Sequence, residues 1–185
     1  KTVLILGAGM LGVTASAVAH SKNAGKVLVS DIDPDRVRRS LEFGARHALL
    51  VKKEQPLHQE IMHLTEGRGV DLVFDMTGVP EVIESGLKAM AIGGTMILVG
   101  SVYPARPVQL SAETIVRRLL RIEGIHNYVD LDLANALNFL ERFQNQYPFS
   151  RLCEQTFLLS EFKAAFEESA NRRSYRVAVR PDSTS

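Results

Sequence analysis

Apolar residues in this chain fall in short, nearly unbroken runs, and the stretches between them carry apolar positions every three or four residues. The runs cover residues 2–6, 26–30, 47–51, 70–75, 95–99 and 120–125. Runs of this length bounded by turn residues predict buried strands, and the intervening pattern predicts amphipathic helices. The first intervening stretch, residues 13–19, is built from small residues and predicts a tightly packed helix. The second predicted helix starts at Asp33, an N-cap, with Pro34 at its first position, and stops at Gly44. The third covers 56–66, with Leu57, Ile61 and Leu64 on one face, and ends at Gly67 and Gly69. Pro80 opens the fourth, which Gly93 and Gly94 are expected to end. Ser111 caps the fifth. The sixth covers 130–144, with Leu133, Leu137, Leu140 and Phe143 along one side.

Continuous apolar strands alternating with such helices predict an α/β fold with a parallel sheet covered on both faces. Right-handed crossovers make it doubly wound. Six strands in two halves give the order 3-2-1-4-5-6 of a Rossmann sheet, with a ligand crevice at the strands' carboxyl ends. The remaining stretch leaves that pattern. Pro148 breaks the last helix, residues 154–159 read as a strand, and Ser160 is expected to cap a helix that carries Phe162 and Phe166. Residues 175–180 form a further strand, and the polar tail 181–185 is expected to be disordered. One β-α-β segment is too small to make a core of its own. The expected division is therefore 1–147, 148–180 and 181–185.

The first run ends in Gly7-Ala-Gly-Met-Leu-Gly12, a G-x-G-x-x-G turn between strand and helix. Gly7 allows a tight turn, Gly9 lets a pyrophosphate approach the backbone, and Gly12 lets the helix lie against the strand. The amides of the first helical turn, including Met10 and Leu11, then face the phosphates with the helix dipole behind them. The second run ends in Asp31, where a dinucleotide fold places an acid to hold the adenosine ribose hydroxyls. A carboxylate there repels the 2′-phosphate of NADP and favours NAD. Arg36 and Arg38 nearby weaken that preference. The other carboxyl-end loops are 76–78, 99–101 and 125–128, all expected to open onto one cleft.

Composition narrows the classes. A chain of 185 residues, 45% apolar and 23% charged, suits a substantial globular domain. A net charge of +1 gives no basic field for nucleic acid or a membrane surface, and no run is long and apolar enough to span a bilayer. Cys153 is the lone cysteine, so neither an internal disulfide nor a multi-thiolate zinc site can form. No secretory signal is visible, and a cytoplasmic protein is expected. The chain opens on its first strand without an initiator methionine, which reads as a fragment.

Taken together, the blocks resemble the cofactor-binding half of a medium-chain dehydrogenase of the zinc-type alcohol dehydrogenase family. The resemblance rests on the glycine turn, Asp31 with Arg36, Phe43-Gly-Ala45, and residues 69–78 and 93–100. It continues through Leu158-Leu-Ser-Glu-Phe-Lys-Ala-Ala-Phe166 and Arg176-Val-Ala-Val-Arg-Pro181. It is to members acting on alcohols and small polyols, and to one linked with phosphonate breakdown. It implies a catalytic domain interrupted by the dinucleotide domain, to which residues 148–180 return. Zinc ligands and proton relay would lie in that other domain, and the fragment alone would be inactive. It also implies that Met76, Thr77 and Gly78 flank the nicotinamide side of the cofactor and that Val99, Gly100 and Ser101 meet the ring. Ile125 and Asn127 would offer backbone groups to the carboxamide. His126 and Asn127 depart from the apolar or small residues usual there, through substrate choice or surface chemistry.

The family pairs its sixth strand across a two-fold axis, so a homodimer is expected, with NAD(H) and a small alcohol or carbonyl compound as ligands. Phe157, Phe162 and Phe166 are expected to form an exposed patch or to pack on a neighbouring chain. The five histidines, His20, His47, His58, His63 and His126, show no metal-binding spacing, and His58 and His63 are read as solvated. A zinc-free quinone or enoyl reductase using NADPH remains an alternative, as does a non-enzymatic module for a nucleotide or S-adenosylmethionine. A short-chain dehydrogenase is excluded, because Tyr103, Tyr128, Tyr147 and Tyr175 are followed four on by Pro107, Asp132, Arg151 and Val179, never lysine.

Overall fold

The structure, a computed structural model, describes residues 1–52, 55–171 and 174–182. The chain divides into two compact units, Lys1–Ala136 and Leu137–Ser185. The first holds β1 (Thr2–Leu6), α1 (Met10–Ser21), β2 (Lys26–Asp31), α2 (Pro34–Ser40), β3 (His47–Leu50), α3 (Leu57–Leu64), β4 (Val70–Asp75), α4 (Pro80–Ala89), β5 (Met90–Leu98), α5 (Ala112–Arg117) and β6 (Arg121–Gly124). The strands form one parallel sheet in the order β3-β2-β1-β4-β5-β6, as the hydrophobic pattern predicts.

The apolar runs become this sheet because both of its faces are covered. Leu4, Leu6, Leu28, Val73 and Met96 from the strands join Leu57, Ile61, Ile83 and Leu87 from the helices in one buried cluster. Each large side chain buried in this way contributes about 1.5–3 kcal/mol. The small residues of α1 serve close approach instead: Gly12, Val13, Ser16 and Ala17 are all buried. Asp33 caps α2 as expected, its Oδ1 accepting from the Asp35 and Arg36 amides at 2.8 and 3.2 Å. Helix α1 starts three residues before the expected stretch 13–19, and α2 gives way after Ser40 to a 3-10 turn, Leu41–Phe43, before Gly44. Most other limits fall within a residue or two of those expected, apart from the places described next.

The fourth helix does not run to Gly93. It stops at Ala89, and Met90 turns to an extended conformation and pairs with Val70. The register then shifts between Val70 and Leu72, so Gly93 and Gly94 lie inside a bulged strand rather than after a helix. Gly93 has a φ of 74°, and its amide donates to the Arg118 carbonyl, while the Arg118 guanidinium donates to the Met90 carbonyl. Long-range bonds from the end of α5 thus override the helical pattern of the sequence.

The two sheet edges differ. β3 is half-buried, whereas β6 is mostly exposed, with Leu119 and Ile125 open to solvent just beyond its two ends.

Helix α6 (Asp130–Phe143) spans the boundary between the units and fully buries no residue; of the expected side, Leu133, Leu137 and Leu140 are exposed and Phe143 is half-buried. Its C-terminal end contributes instead to an aromatic cluster of the second unit. Phe139 and Phe143 lie 4.9 Å apart, and Tyr147 and Phe149 lie edge-to-face at 5.7 Å. Tyr147 is buried, and that burial raises its hydroxyl pKa. β7 (Gln155–Leu158) and β8 (Val177–Arg180) pair in parallel, with α7 (Phe162–Ala170) between them in sequence. Ser160 is not the cap of α7. It lies in a 3-10 turn, and its hydroxyl donates to Asp182 at 2.8 Å. Phe162 and Phe166 are exposed, while Phe157, on the paired strand, is half-buried. Of the polar tail, residues 183–185 lie outside the described residues.

Candidate functional site

The carboxyl ends of the first unit's strands carry the residues that the sequence singles out. β1 ends at Leu6, and Gly7 turns the chain with a φ of 97° while its amide donates to the Ser30 carbonyl at 2.7 Å. Gly9 then leads into α1. Its side-chain position opens onto free space: a Cβ there would meet no atom within 4 Å. No side chain caps α1, and its first turn holds no acid. By contrast, α2 and α5 begin with the side-chain caps Asp33 and Ser111 and have Asp35 and Glu113 in their first turns. The positive end of the α1 dipole therefore meets an open space beside a residue without a side chain, which is the chemistry of an anion cradle. Met10 is half-buried and Leu11 exposed at this end.

Asp31 is aimed at the same turn. Its Oδ2 accepts from the buried Ala8 amide at 2.7 Å and its Oδ1 from the Asp33 amide at 2.9 Å. These two bonds fix the carboxylate's orientation, and its remaining lone pairs can accept from hydroxyls. Arg36 is half-buried on the first turn of α2, its Nε 3.9 Å from Asp33 Oδ2.

A second acid stands on the other side of the turn. In the sheet Leu6 lies opposite Ser30 of β2 and opposite Asp75 of β4. Asp75 is wholly buried. Its carboxylate accepts from the Thr77 amide at 2.9 Å, the Thr77 hydroxyl at 2.7 Å, the Gly78 amide at 3.2 Å and the Ser101 hydroxyl at 3.2 Å. Its main-chain carbonyl accepts from both the Val99 and the Gly100 amides. Sequence reasoning passed over Asp75 as a strand end. The signal was an acid at the carboxyl end of β4, two residues before Thr77.

The loops after β4 and β5 cross at very short range. A Cβ on Gly78, whose φ is 68°, would sit 2.4 Å from the Gly100 carbonyl oxygen, and one on Gly100 would sit 2.5 Å from the Met76 carbonyl carbon. The Met76 amide is anchored to the Leu6 carbonyl. After β6, the Ile125 amide is committed to the Leu98 carbonyl at 3.0 Å, which makes the Ile125 carbonyl the backbone group to consider for a ligand. Asn127 has a φ of 61°, a left-handed conformation that asparagine tolerates. Backbone geometry therefore accounts for an asparagine at that position.

The exposed loop between β5 and α5 is tied down by Arg106. Its guanidinium reaches Glu81 at 2.7 Å and Glu84 at 2.7 Å on α4, and Glu84 also accepts from the Gln109 amide. These bonds, the Arg106 one first, hold the Glu84 carboxyl down to about 2. Because the folded value lies below the ordinary one, the clamp's contribution is complete at neutral pH. It is lost only as pH falls from the ordinary carboxylate range through about 2.

Among the described residues no group of three His, Cys, Asp or Glu side chains is placed to hold a metal ion, and no helix is long and apolar enough to cross a membrane.

The sequence profile of zinc-binding dehydrogenases matches residues 11–142. The chain belongs to the zinc-binding dehydrogenase family. Among relatives, it is 36% identical over 127 residues to L-threonine 3-dehydrogenase of Pyrococcus horikoshii, covering 68% of this chain and 35% of that protein. It is 30% identical over 131 residues to sorbitol dehydrogenase of Bacillus subtilis, covering 70% of this chain and 36% of the relative. In three dimensions it resembles an alcohol dehydrogenase from Thermotoga maritima, with a TM-score of 0.89 at 27% identity, over 98% of this chain and 50% of that one. It likewise resembles an alcohol dehydrogenase zinc-binding domain protein from Burkholderia ambifaria, with a TM-score of 0.87 at 27% identity, over 99% of this chain and 49% of that one. This zinc-binding dehydrogenase chain thus spans about a third to a half of the length of the relatives it matches. The zinc that the family name implies finds no donor set among the described residues.

Proposed function

We propose that this chain is the NAD(H)-holding half of an alcohol dehydrogenase. The observation that carries the reading is the convergence of the uncapped α1 terminus and the Asp31 carboxylate on one glycine turn. The N-terminal end of α1, through Gly7, Gly9, Met10, Leu11 and Gly12, would neutralise the pyrophosphate. Asp31 would accept hydrogen bonds from the adenosine ribose hydroxyls, with Arg36 at the rim. Met76, Thr77, Gly78, Val99, Gly100 and Ser101 would shape the nicotinamide end, and the Ile125 carbonyl and Asn127 would face its carboxamide. Bound there, the dinucleotide supplies the acceptor or donor of hydride. This chain's own residues contribute binding, orientation and exclusion of water. The substrate we infer is a small alcohol or polyol, a class supported by the names of the sorbitol and threonine dehydrogenase relatives. Residues 148–180 we assign to the catalytic domain of the full-length enzyme.

The test is calorimetric titration with NADH and NADPH side by side; without tryptophan the chain offers a poor fluorescence signal. NADH is expected to bind, and NADPH to bind at least about tenfold more weakly, because the 2′-phosphate would meet the Asp31 carboxylate. Binding of neither dinucleotide would overturn the reading, and binding of S-adenosylmethionine instead would put a module for that ligand in its place.

The exposed β6 edge supports a second inference, a homodimer that joins two sheets across β6. An exposed strand edge flanked by apolar Leu119 and Ile125 is the kind of surface that proteins cover. Sedimentation is expected to give twice the chain mass of 20.4 kDa. A monomer across the micromolar range would remove the proposal.

A further inference from the structure

Among the described acids of this unit Asp75 alone is fully buried. Asp71 and Glu84 are half-buried and face arginines, and Asp31 is half-buried with two amide partners. Asp75 is wholly buried, and the partners of its carboxylate are all neutral: two amides and two hydroxyls. A buried carboxylate is costly unless its lone pairs are satisfied, and here hydrogen bonds reach both oxygens. The bonds to Thr77 and Gly78 are local and would shape any turn after a strand. The bond from Ser101 is not local, because it comes from the loop after the neighbouring strand. The main-chain carbonyl of the same residue gathers the Val99 and Gly100 amides. One residue therefore sets where the β4 loop stands relative to the β5 loop, at the place where Gly78 and Gly100 leave no room for a side chain to do so.

Position separates this task from that of Asp31. β1 lies between β2 and β4, so the two acids stand on opposite sides of the Gly7 turn. Asp31 reaches toward the turn and α2, while Asp75 reaches away from it toward β5.

Resting on the dinucleotide reading above, we infer that Asp75 is a positioning residue for the nicotinamide end of the cofactor, fixing the paired β4 and β5 loops without touching the adenosine end. A ligand that lacks the nicotinamide should be indifferent to it. The amide of D75N offers one acceptor oxygen where the carboxylate has two, and its NH2 would face donors. S101A removes only the side-chain link between the loops and leaves the main-chain bonds to Val99 and Gly100 in place.

The experiment is titration of the full chain, wild type and both variants, with NADH and with ADP-ribose, with thermal melts alongside. For D75N, NADH affinity is expected to fall about tenfold or more while ADP-ribose affinity stays within about twofold. S101A is expected to show the same split at smaller size. Equal loss of both ligands, or loss of neither, would overturn the role of Asp75. If D75N does not fold, D75S, whose smaller hydroxyl brings no NH2 against the donors, decides by the same criterion. Wild-type chain that binds neither ligand would instead bring down the dinucleotide reading itself, an outcome separate from any behaviour of the variants.

Discussion

Gly12→Ala is expected to cost the fold about 3–5 kcal/mol, a loss in the range of severe core overpacking. A Cβ at position 12 would lie 1.8 Å from the Gly7 carbonyl oxygen and 2.9 Å from the Gly7 carbonyl carbon. Both are backbone atoms, so no side chain can swing aside. Either α1 must lift off the turn, exposing Val13, Ser16 and Ala17, or Gly7 must abandon its bond to Ser30. For a chain of this size, each kcal/mol shifts the melting temperature by roughly 2–4 °C, so the midpoint should drop by about 10 °C. Gly9→Ala is the matched control. Gly9 has an ordinary φ of −68°, and its added methyl meets nothing within 4 Å. Its melt should be unchanged, while NADH binding is lost because the methyl occupies the phosphate's space. Melting of Gly12→Ala within about 2 °C of wild type would show that the helix does not depend on this approach.

The double variant Asp31→Gly with Ile32→Arg is expected to reverse the cofactor preference. Loss of Asp31 removes the acceptor for two ribose hydroxyls, each such bond to a charged group being worth about 1.5–3 kcal/mol. NADH affinity should therefore fall by about a hundredfold or more. It also frees the Ala8 and Asp33 amides, which loosens the turn and adds to the loss. Ile32 is exposed immediately after the acid, so an arginine there can reach a 2′-phosphate without disturbing the core. NADPH should then bind more tightly than NADH in paired titrations. If the ratio of the two affinities does not change, Asp31 does not face the ribose.

The sheet was legible because its strands are buried on both faces and therefore read as apolar runs, while the helices between them expose one side. The glycine turn was legible because its glycines answer to steric demands that no other residue meets. What the sequence hid depended on long-range partners. Met90 reads as the last turn of a helix, and only Val70 and Arg118, distant in sequence, make it a strand residue. Asp75 reads as an ordinary strand end until Ser101 closes on it. Ser160 has the chemistry of a helix cap, but Asp182 offers its hydroxyl another partner. The stripe on α6 marks an apolar side, of which Leu133, Leu137 and Leu140 are exposed and Phe143 half-buried, because periodicity does not name what covers it.

The crossing of the β4 and β5 loops constrains how this protein can change over generations. A side chain on Gly78 would stand in the main chain of Gly100, and one on Gly100 in the main chain of Met76, Thr77 and Gly78. Either exchange collides with main chain that no second side-chain substitution can move aside. Variation around this crevice is therefore channelled outward, into exposed positions such as Val102, Tyr103 and Gln109, whose side chains are not locked in the crossing. Lineages of this fold can drift in what they admit to the cleft and leave the crossing itself unaltered.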